Sequence, residues 1–214
     1  MLDPEIVNLF NETLKLNSYL DSAGQSLFWD SIKSYMQHCR NEQLGGRTYD
    51  YVSTKLNQLM TFFQTIDLSE KEIIMVIQEF PSILNSSVSD IYYKYLLLGV
   101  IDSNENLNRK DRLINNPKDF ITGLSLVYAR YCLMVDLNYP QITYSNLFHD
   151  SAFEFASKFI QKKYNKPYQI FNNIDELTSE KLIEKYPLDE QALLNMKTWP
   201  ENQEIVAKFE MIKR

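Results

Sequence analysis

The sequence predicts an all-α protein, and three observations point to this class. Glycine is scarce, apolar residues recur at three- and four-residue spacing, and a proline-marked segment occurs twice. The 214 residues include 5 glycines and 7 prolines, which is little material for the many tight turns of an all-β domain. Hydrophobic residues make up 44% of the chain, so we expect helices that enclose a sizeable core.

Residues 1–44 are expected to form an N-terminal helical pair. Asp3 and Pro4 stand at the N-cap and at the first position of the first helix, where these residue types are favoured. The second helix is predicted over "GQSLFWDSIKSYMQHCR", and its spacing places Leu27 and Phe28 on the inward face.

A boundary is predicted at the adjacent glycines Gly45 and Gly46, which are the clearest break in the helical pattern. Residues 47–214 would then form a helical-repeat array. Its first helix is predicted over "YDYVSTKLNQLMTFFQTI", where apolar residues recur with helical spacing. Ser69 and Glu72 form the S-x-x-E pattern of a capping box and predict the start of the next helix.

A proline-centred segment occurs twice in the array, at a spacing of 36 residues. Pro81 and Pro117 align, and ten residues beyond each of them "IYYKYLL" (91–97) aligns with "VYARYCL" (127–133). Matching residue types in one ungapped register indicate an internal repeat. Each proline is expected to end a helix, and Gly99 is expected to cap the C-terminus of the helix that follows Pro81.

The repeated segment is similar to the repeat of the mitochondrial transcription termination factor family, over residues 65–190. The matching features are the helix that ends at Phe80-Pro81, the polar "NSS" turn, and the closing "LGV". The resemblance implies helix triplets, each with two α-helices and a short 3₁₀ helix, stacked into an α-solenoid that curves as a half-superhelix. It also implies a concave basic face that follows a nucleic-acid backbone.

A row of cations is the candidate binding site. Lys94 and Arg130 occupy equivalent repeat positions, and Lys158 takes the corresponding place in a shortened third copy. If the copies stack regularly, the three side chains form a row that could neutralise successive phosphates of DNA or RNA. Flanking charge would come from five further cations: Arg109, Lys110, Arg112, Lys162 and Lys163. The alternative is that these cations lie on ordinary solvated faces and pair with nearby carboxylates.

The charge balance supports a second class of function. The formal net charge is −6, which disfavours a nucleic-acid partner, and residues 1–89 carry 11 acidic against 6 basic side chains. The chain could therefore be a protein-interaction scaffold whose acidic N-terminal helices engage a partner through Phe28 and Trp29. It could also be an acidic inhibitor that mimics nucleic acid. Binding without catalysis, to nucleic acid first and to protein second, is the predicted function.

Tyrosine pairs occur in both copies of the repeat. Tyr92 and Tyr95 lie three residues apart, as do Tyr128 and Tyr131, so each pair shares one helical face. Such stripes are most often packed between neighbouring elements. The alternative is that they stack on exposed bases.

Catalytic and metal-binding patterns are not found in the sequence, so no enzyme activity, cofactor or metal is predicted. The histidines are His38 and His149, and the adjacent His149-Asp150 pair would point in different directions on a helix. Cys39 and Cys132 are the two cysteines. They are expected to be reduced thiols, with a single disulfide left open.

The N-terminus "MLDPEIVNLF" has no signal-peptide character, and no apolar stretch reaches the length that spans a bilayer. The expected location is therefore the cytoplasm, either of the cell that makes the protein or of a host. The oligomeric state is left open.

Overall fold

The computed structural model describes residues 3–41, 49–105, 108–160, 171 and 174–212. In these ranges the named elements are all helical, apart from an isolated bridge between Ile160 and Phe171. The all-α prediction is therefore confirmed for the described residues. The α-helices are α1 (Pro4–Leu14), α2 (Leu16–Tyr19), α3 (Ser22–Asn41), α4 (Tyr49–Thr65), α5 (Glu70–Glu79), α6 (Val88–Glu105), α7 (Arg109–Asn115), α8 (Leu124–Asp136), α9 (Ala152–Ser157), α10 (Ser179–Lys185), α11 (Glu190–Thr198) and α12 (Gln203–Ile212).

Short helices lie between the α-helices. The 3₁₀ helices are Pro81–Asn85, Pro117–Ile121, Ile174–Leu177 and Pro200–Asn202, and Ser145–His149 is a π-helical turn. In the described part of the chain, no helix combines the length and hydrophobicity that a bilayer crossing requires.

The two copies of the sequence repeat have the same order of elements. In the first copy, α5 is followed by a 3₁₀ helix that begins at Pro81 and then by α6. In the second copy, α7 is followed by a 3₁₀ helix that begins at Pro117 and then by α8. Proline has no amide hydrogen to donate. It fits the first position of a short helix because the amide at that position has no partner within the helix. The prolines therefore start the 3₁₀ helices as well as ending the helices before them.

Predicted helix starts are confirmed at two places. Asp3 accepts a hydrogen bond from the Glu5 amide at 2.9 Å and caps α1. At α5 the Ser69 hydroxyl accepts from the Glu72 amide, and the Glu72 carboxylate accepts from the Ser69 amide at 2.7 Å. This reciprocal capping box satisfies two amides that the first turn of a helix leaves without partners.

The chain divides into two compact units, residues 1–88 with 110–118 and 205–214, and residues 89–109 with 119–204. We call them the first and the second unit. This division differs from the predicted boundary, because α1 packs on α4 and α3 packs on α5 inside the first unit. Gly45 and Gly46 lie outside the described residues.

An aromatic cluster lies in the core of the first unit. The Phe28 ring meets the Phe10 ring at 6.1 Å and the Trp29 ring at 5.3 Å, both in edge-on geometry. Phe28 is fully buried, as predicted, whereas Leu27 was wrongly placed on the inward face and is 62% exposed. Because Phe28 fills the core, it is not positioned to contact a partner protein.

The second unit is centred on α8, which packs on α10 and on the π-helical turn. Its buried apolar side chains come from several elements, among them α6, the second 3₁₀ helix, α8, α9 and the residues that directly follow α9. They include Leu97, Phe120, Leu133, Phe155 and Phe159. Tyr92 and Tyr95 are also buried, at 2% and 3% exposed, so packing is the confirmed role for this tyrosine pair.

Gly99 lies inside α6, and the prediction that it caps the helix is wrong. A Cβ atom at this position would stand 2.6 Å from the Arg109 guanidinium and 2.7 Å from the side-chain amide oxygen of Asn202. Glycine is therefore required for a close approach of side chains to the helix backbone. Arg109 donates to Asn202 at 2.6 Å and to the Glu201 carbonyl at 2.8 Å.

Asn202 completes this arrangement from the interior of the second unit. It is fully buried, and its amide nitrogen donates to the Leu96 carbonyl at 3.1 Å and to the Met196 carbonyl at 2.7 Å. Both donors and the acceptor of the side chain are thus satisfied, as burial of an amide requires.

We predict that Gly99→Ala destabilises the protein by about 1–3 kcal/mol, the usual cost of overpacking. The added methyl group would displace Arg109 or Asn202 from their hydrogen bonds, and this cost exceeds the gain of about 1 kcal/mol that alanine brings to a helix. Chemical denaturation measures the change in the free energy of unfolding.

Gly123→Ala is the matched control for this substitution. Gly123 is the N-cap residue of α8, and a Cβ there would meet no atom within 4 Å. We expect the control to change stability by less than about 1 kcal/mol. An equal effect of both variants would contradict the role given to Gly99.

Candidate functional site

Lys94 is buried, although it was predicted to line an accessible basic face. The side chain is 1% exposed, and its ammonium donates to the Phe120 carbonyl at 2.5 Å and pairs with the Asp90 carboxylate at 2.5 Å. Burial lowers the pKa of Lys94, and the hydrogen bond and charge of Asp90 oppose that shift. The ammonium is thus held by two oxygens of the protein.

Arg130, at the equivalent repeat position, is also buried. It is 3% exposed and donates to the Leu147 carbonyl at 2.9 Å. Its guanidinium lies over the Phe155 ring at 4.9 Å. Burial lowers the pKa of Arg130, and the negative charge of Asp150 opposes this.

The repeat positions therefore share a structural role. Lys94 binds a carbonyl near the end of the 3₁₀ helix Pro117–Ile121, and Arg130 binds a carbonyl within the π-helical turn Ser145–His149. In each case a cation satisfies a carbonyl of the short helix that comes next in the chain. The predicted accessible row is corrected at both positions, since neither cation reaches the surface.

The other predicted cations that are described also have partners within the protein. Arg109 is held by Asn202 and the Glu201 carbonyl, and Lys110 lies 3.2 Å from the Glu72 carboxylate and donates to the Asp67 carbonyl at 2.8 Å. Arg112 is 7% exposed. Lys158 pairs with Asp150. Lys162 and Lys163 lie outside the described residues.

A cluster of polar side chains that the sequence did not indicate surrounds Asp119. Its Oδ2 atom lies 2.6 Å from the His149 Nε2 atom and accepts from the Tyr144 hydroxyl at 2.8 Å. Tyr144 also stacks on Phe148, with ring centroids 4.8 Å apart. The partner of His149 is thus Asp119, thirty residues away, and not its neighbour Asp150. Among the described residues, no three His, Cys, Asp or Glu side chains are grouped to hold a metal ion.

A cleft of about 320 Å³ opens in the second unit, with walls from α8, α10, α11 and the turn between α10 and α11. This volume lies at the lower end of the range for ligand sites. Its lining combines two tyrosine side chains with polar and charged groups. The lining residues are Tyr128, Cys132, Lys185, Tyr186, Pro187, Asp189, Gln191, Ala192 and Asn195.

The polar groups of the cleft are held in defined positions. The Tyr186 hydroxyl donates to Asp136 at 2.8 Å, and the Gln191 amide donates to Asn195 at 2.8 Å. Asp189 is the N-cap residue of α11 and accepts from the Ala192 amide at 2.8 Å.

Tyr128 and Cys132 of the cleft stay protonated at neutral pH. Burial raises the pKa of Tyr128, and the neighbouring Cys132 and the charge of Asp189 add to this effect. Burial also raises the pKa of the Cys132 thiol, against a hydrogen bond with Tyr128 that lowers it. Cys132 is a free thiol, and in its neutral form it is a weak nucleophile.

No protein-family model, curated protein or solved structure matches the chain. The resemblance to the mitochondrial transcription termination factor family therefore stays a prediction from the motif pattern.

We predict that Lys94→Met lowers the free energy of unfolding by about 2 kcal/mol, because it leaves the buried Phe120 carbonyl without its donor. The matched control is Lys118→Met. Lys118 pairs with Glu79 at 2.6 Å, but both side chains are more than half exposed, so its loss should cost less than about 1 kcal/mol. Thermal or chemical denaturation checks both values. If Lys94→Met were as stable as the control, the carbonyl contact would not have the role assigned here.

Proposed function

We propose that the chain is a non-catalytic binding protein whose ligand is another protein. The observation that carries this proposal is that the described candidate cations are buried or already bound to groups of the protein. Lys94, Arg112 and Arg130 are buried, and Arg109, Lys110 and Lys158 bind oxygens of the protein itself. A phosphate backbone needs cations that it can reach, and binding one here would require these contacts to break.

Exposed carboxylates support a protein partner of opposite charge. Residues 174–190 carry six exposed carboxylates and two exposed ammonium groups. An acidic surface repels nucleic acid and attracts basic surfaces of proteins. The six carboxylates belong to Asp175, Glu176, Glu180, Glu184, Asp189 and Glu190.

The cleft of the second unit is the proposed contact site. It places Tyr128 and Tyr186 beside amide groups of α11, and tyrosine is among the residues that contribute most to protein interfaces. This site replaces the contact predicted at Phe28 and Trp29, since Phe28 lies in the core and the Trp29 ring packs against it.

The helical-repeat array is a further part of the proposal. Two successive copies with the order helix, 3₁₀ helix, helix support the idea that the copies are units of one stacked array. Binding to nucleic acid along such an array is the alternative function. It requires cations other than the buried Lys94 and Arg130.

The test is a selection of displayed random peptides on the immobilised protein. We expect enriched peptides whose affinity falls at least tenfold when Asn195→Trp fills the cleft, since a bulky ring blocks the contact surface. The matched control is Asn17→Trp, an exposed position on α2 in the first unit, which should leave affinity unchanged. Equal loss in both variants, or no enrichment, would overturn the proposal.

A titration with labelled single-stranded and duplex nucleic acid tests the alternative function. We expect no binding at about 50 mM salt, where phosphate contacts are strongest. Saturable binding that weakens about a thousandfold or more near 200 mM salt would support nucleic-acid binding instead.

A further inference from the structure

Negative charges outnumber positive charges around the cleft. Asp189 lines the cleft directly, and Asp136 binds the hydroxyl of the lining residue Tyr186. Lys185 is the one cation among the lining residues. Two carboxylates and one ammonium group therefore lie in or beside the cleft, and both carboxylates belong to residues that are exposed to solvent.

The position of Lys185 shows where a cation is stabilised. Its ammonium lies 5.1 Å from the centre of the Tyr186 ring and 5.8 Å from the centre of the Phe171 ring. Both distances are within the range in which an aromatic face attracts a cation. Among the described residues, no carboxylate forms an ion pair with Lys185, so the rings are its observed partners.

We propose that the cleft binds a lysine or arginine side chain of the protein partner. Tyr128 and Tyr186 would contact the alkyl part and the cationic group of that side chain, and the Asp189 carboxylate would face the charge. The side-chain amides of Gln191 and Asn195, four residues apart on α11, can hydrogen bond to the adjacent peptide backbone. This inference rests on the proposed function and names the chemistry of the partner.

An incoming cation has to compete with Lys185. The direction in which substitutions at Lys185 and Asp189 change the affinity therefore tests the charge of the ligand. Removing Lys185 should favour a basic ligand, because a like charge leaves the cleft. Removing the charge of Asp189 should disfavour it. An acidic ligand would respond to both changes in the opposite direction, and a zwitterionic ligand would be weakened by both.

The experiment titrates the protein with short capped peptides of glycine and serine that carry one central lysine, glutamate or norleucine. Heteronuclear NMR follows the amide signals of Gln191, Ala192 and Asn195. We expect the lysine peptide to shift these signals most. Its dissociation constant should rise about threefold to fivefold in Asp189→Asn and fall by a similar factor in Lys185→Met, the size of one solvent-accessible ion pair.

Asp189→Asn preserves the fold because asparagine is as good an N-cap residue as aspartate. The charge-matched control is Glu12→Gln on α1 in the first unit, whose side chain is exposed. If the control weakened the lysine peptide as much as Asp189→Asn does, net charge alone would explain the binding and the proposal would be wrong.

The remaining outcomes separate this inference from the proposed function. If the cleft signals shifted more with the glutamate or norleucine peptide, the inference that the cleft binds a basic side chain would be wrong. The proposal that the cleft binds peptides would remain. Peptides enriched in the display selection that bind through the cleft but lack lysine and arginine would do the same. If no peptide shifted these signals and none was enriched, both proposals would fail.

Discussion

The second unit depends on cations that are buried in order to satisfy main-chain carbonyls. A short helix leaves its final carbonyls without partners, and a buried carbonyl without a donor is costly. Lys94 supplies the donor for Phe120, and Arg130 supplies it for Leu147. Each cation thereby fixes where the next short helix lies against the long helix that carries it. The equivalence of the two positions in the sequence reflects this shared task.

Features governed by neighbouring residues could be predicted from the sequence. The capping box of Ser69 and Glu72 and the N-cap Asp3 follow from groups within a few residues of each other, and the prolines that start short helices follow from the fixed geometry of one ring. The role of Gly99 was predicted wrongly because the need for glycine there comes from the side chains of Arg109 and Asn202, which are distant in sequence or outside the helix. Those residues reach α6 only after the chain has folded.

The candidate site was harder to predict for a related reason. The repeat shows that Lys94 and Arg130 occupy matching positions. It does not show whether the side chains at those positions face solvent or the interior, because a cation could recur in either place. Lys94 and Arg130 face inward. The cleft brings Tyr128 beside Tyr186, and His149 is paired with Asp119. No local spacing in the sequence encodes either contact.

Asn202 imposes an order on the folding of the second unit. Its amide donates to the Leu96 carbonyl, 106 residues earlier in the chain, so this part of the core cannot close until the chain has been synthesised as far as residue 202. Contacts of such long sequence separation slow folding because a large loop must be closed first. Until then Arg109 also lacks the side chain that holds it against α6. A nascent chain that ends before Asn202 would therefore hold an incomplete core, exposed to chaperones and proteases.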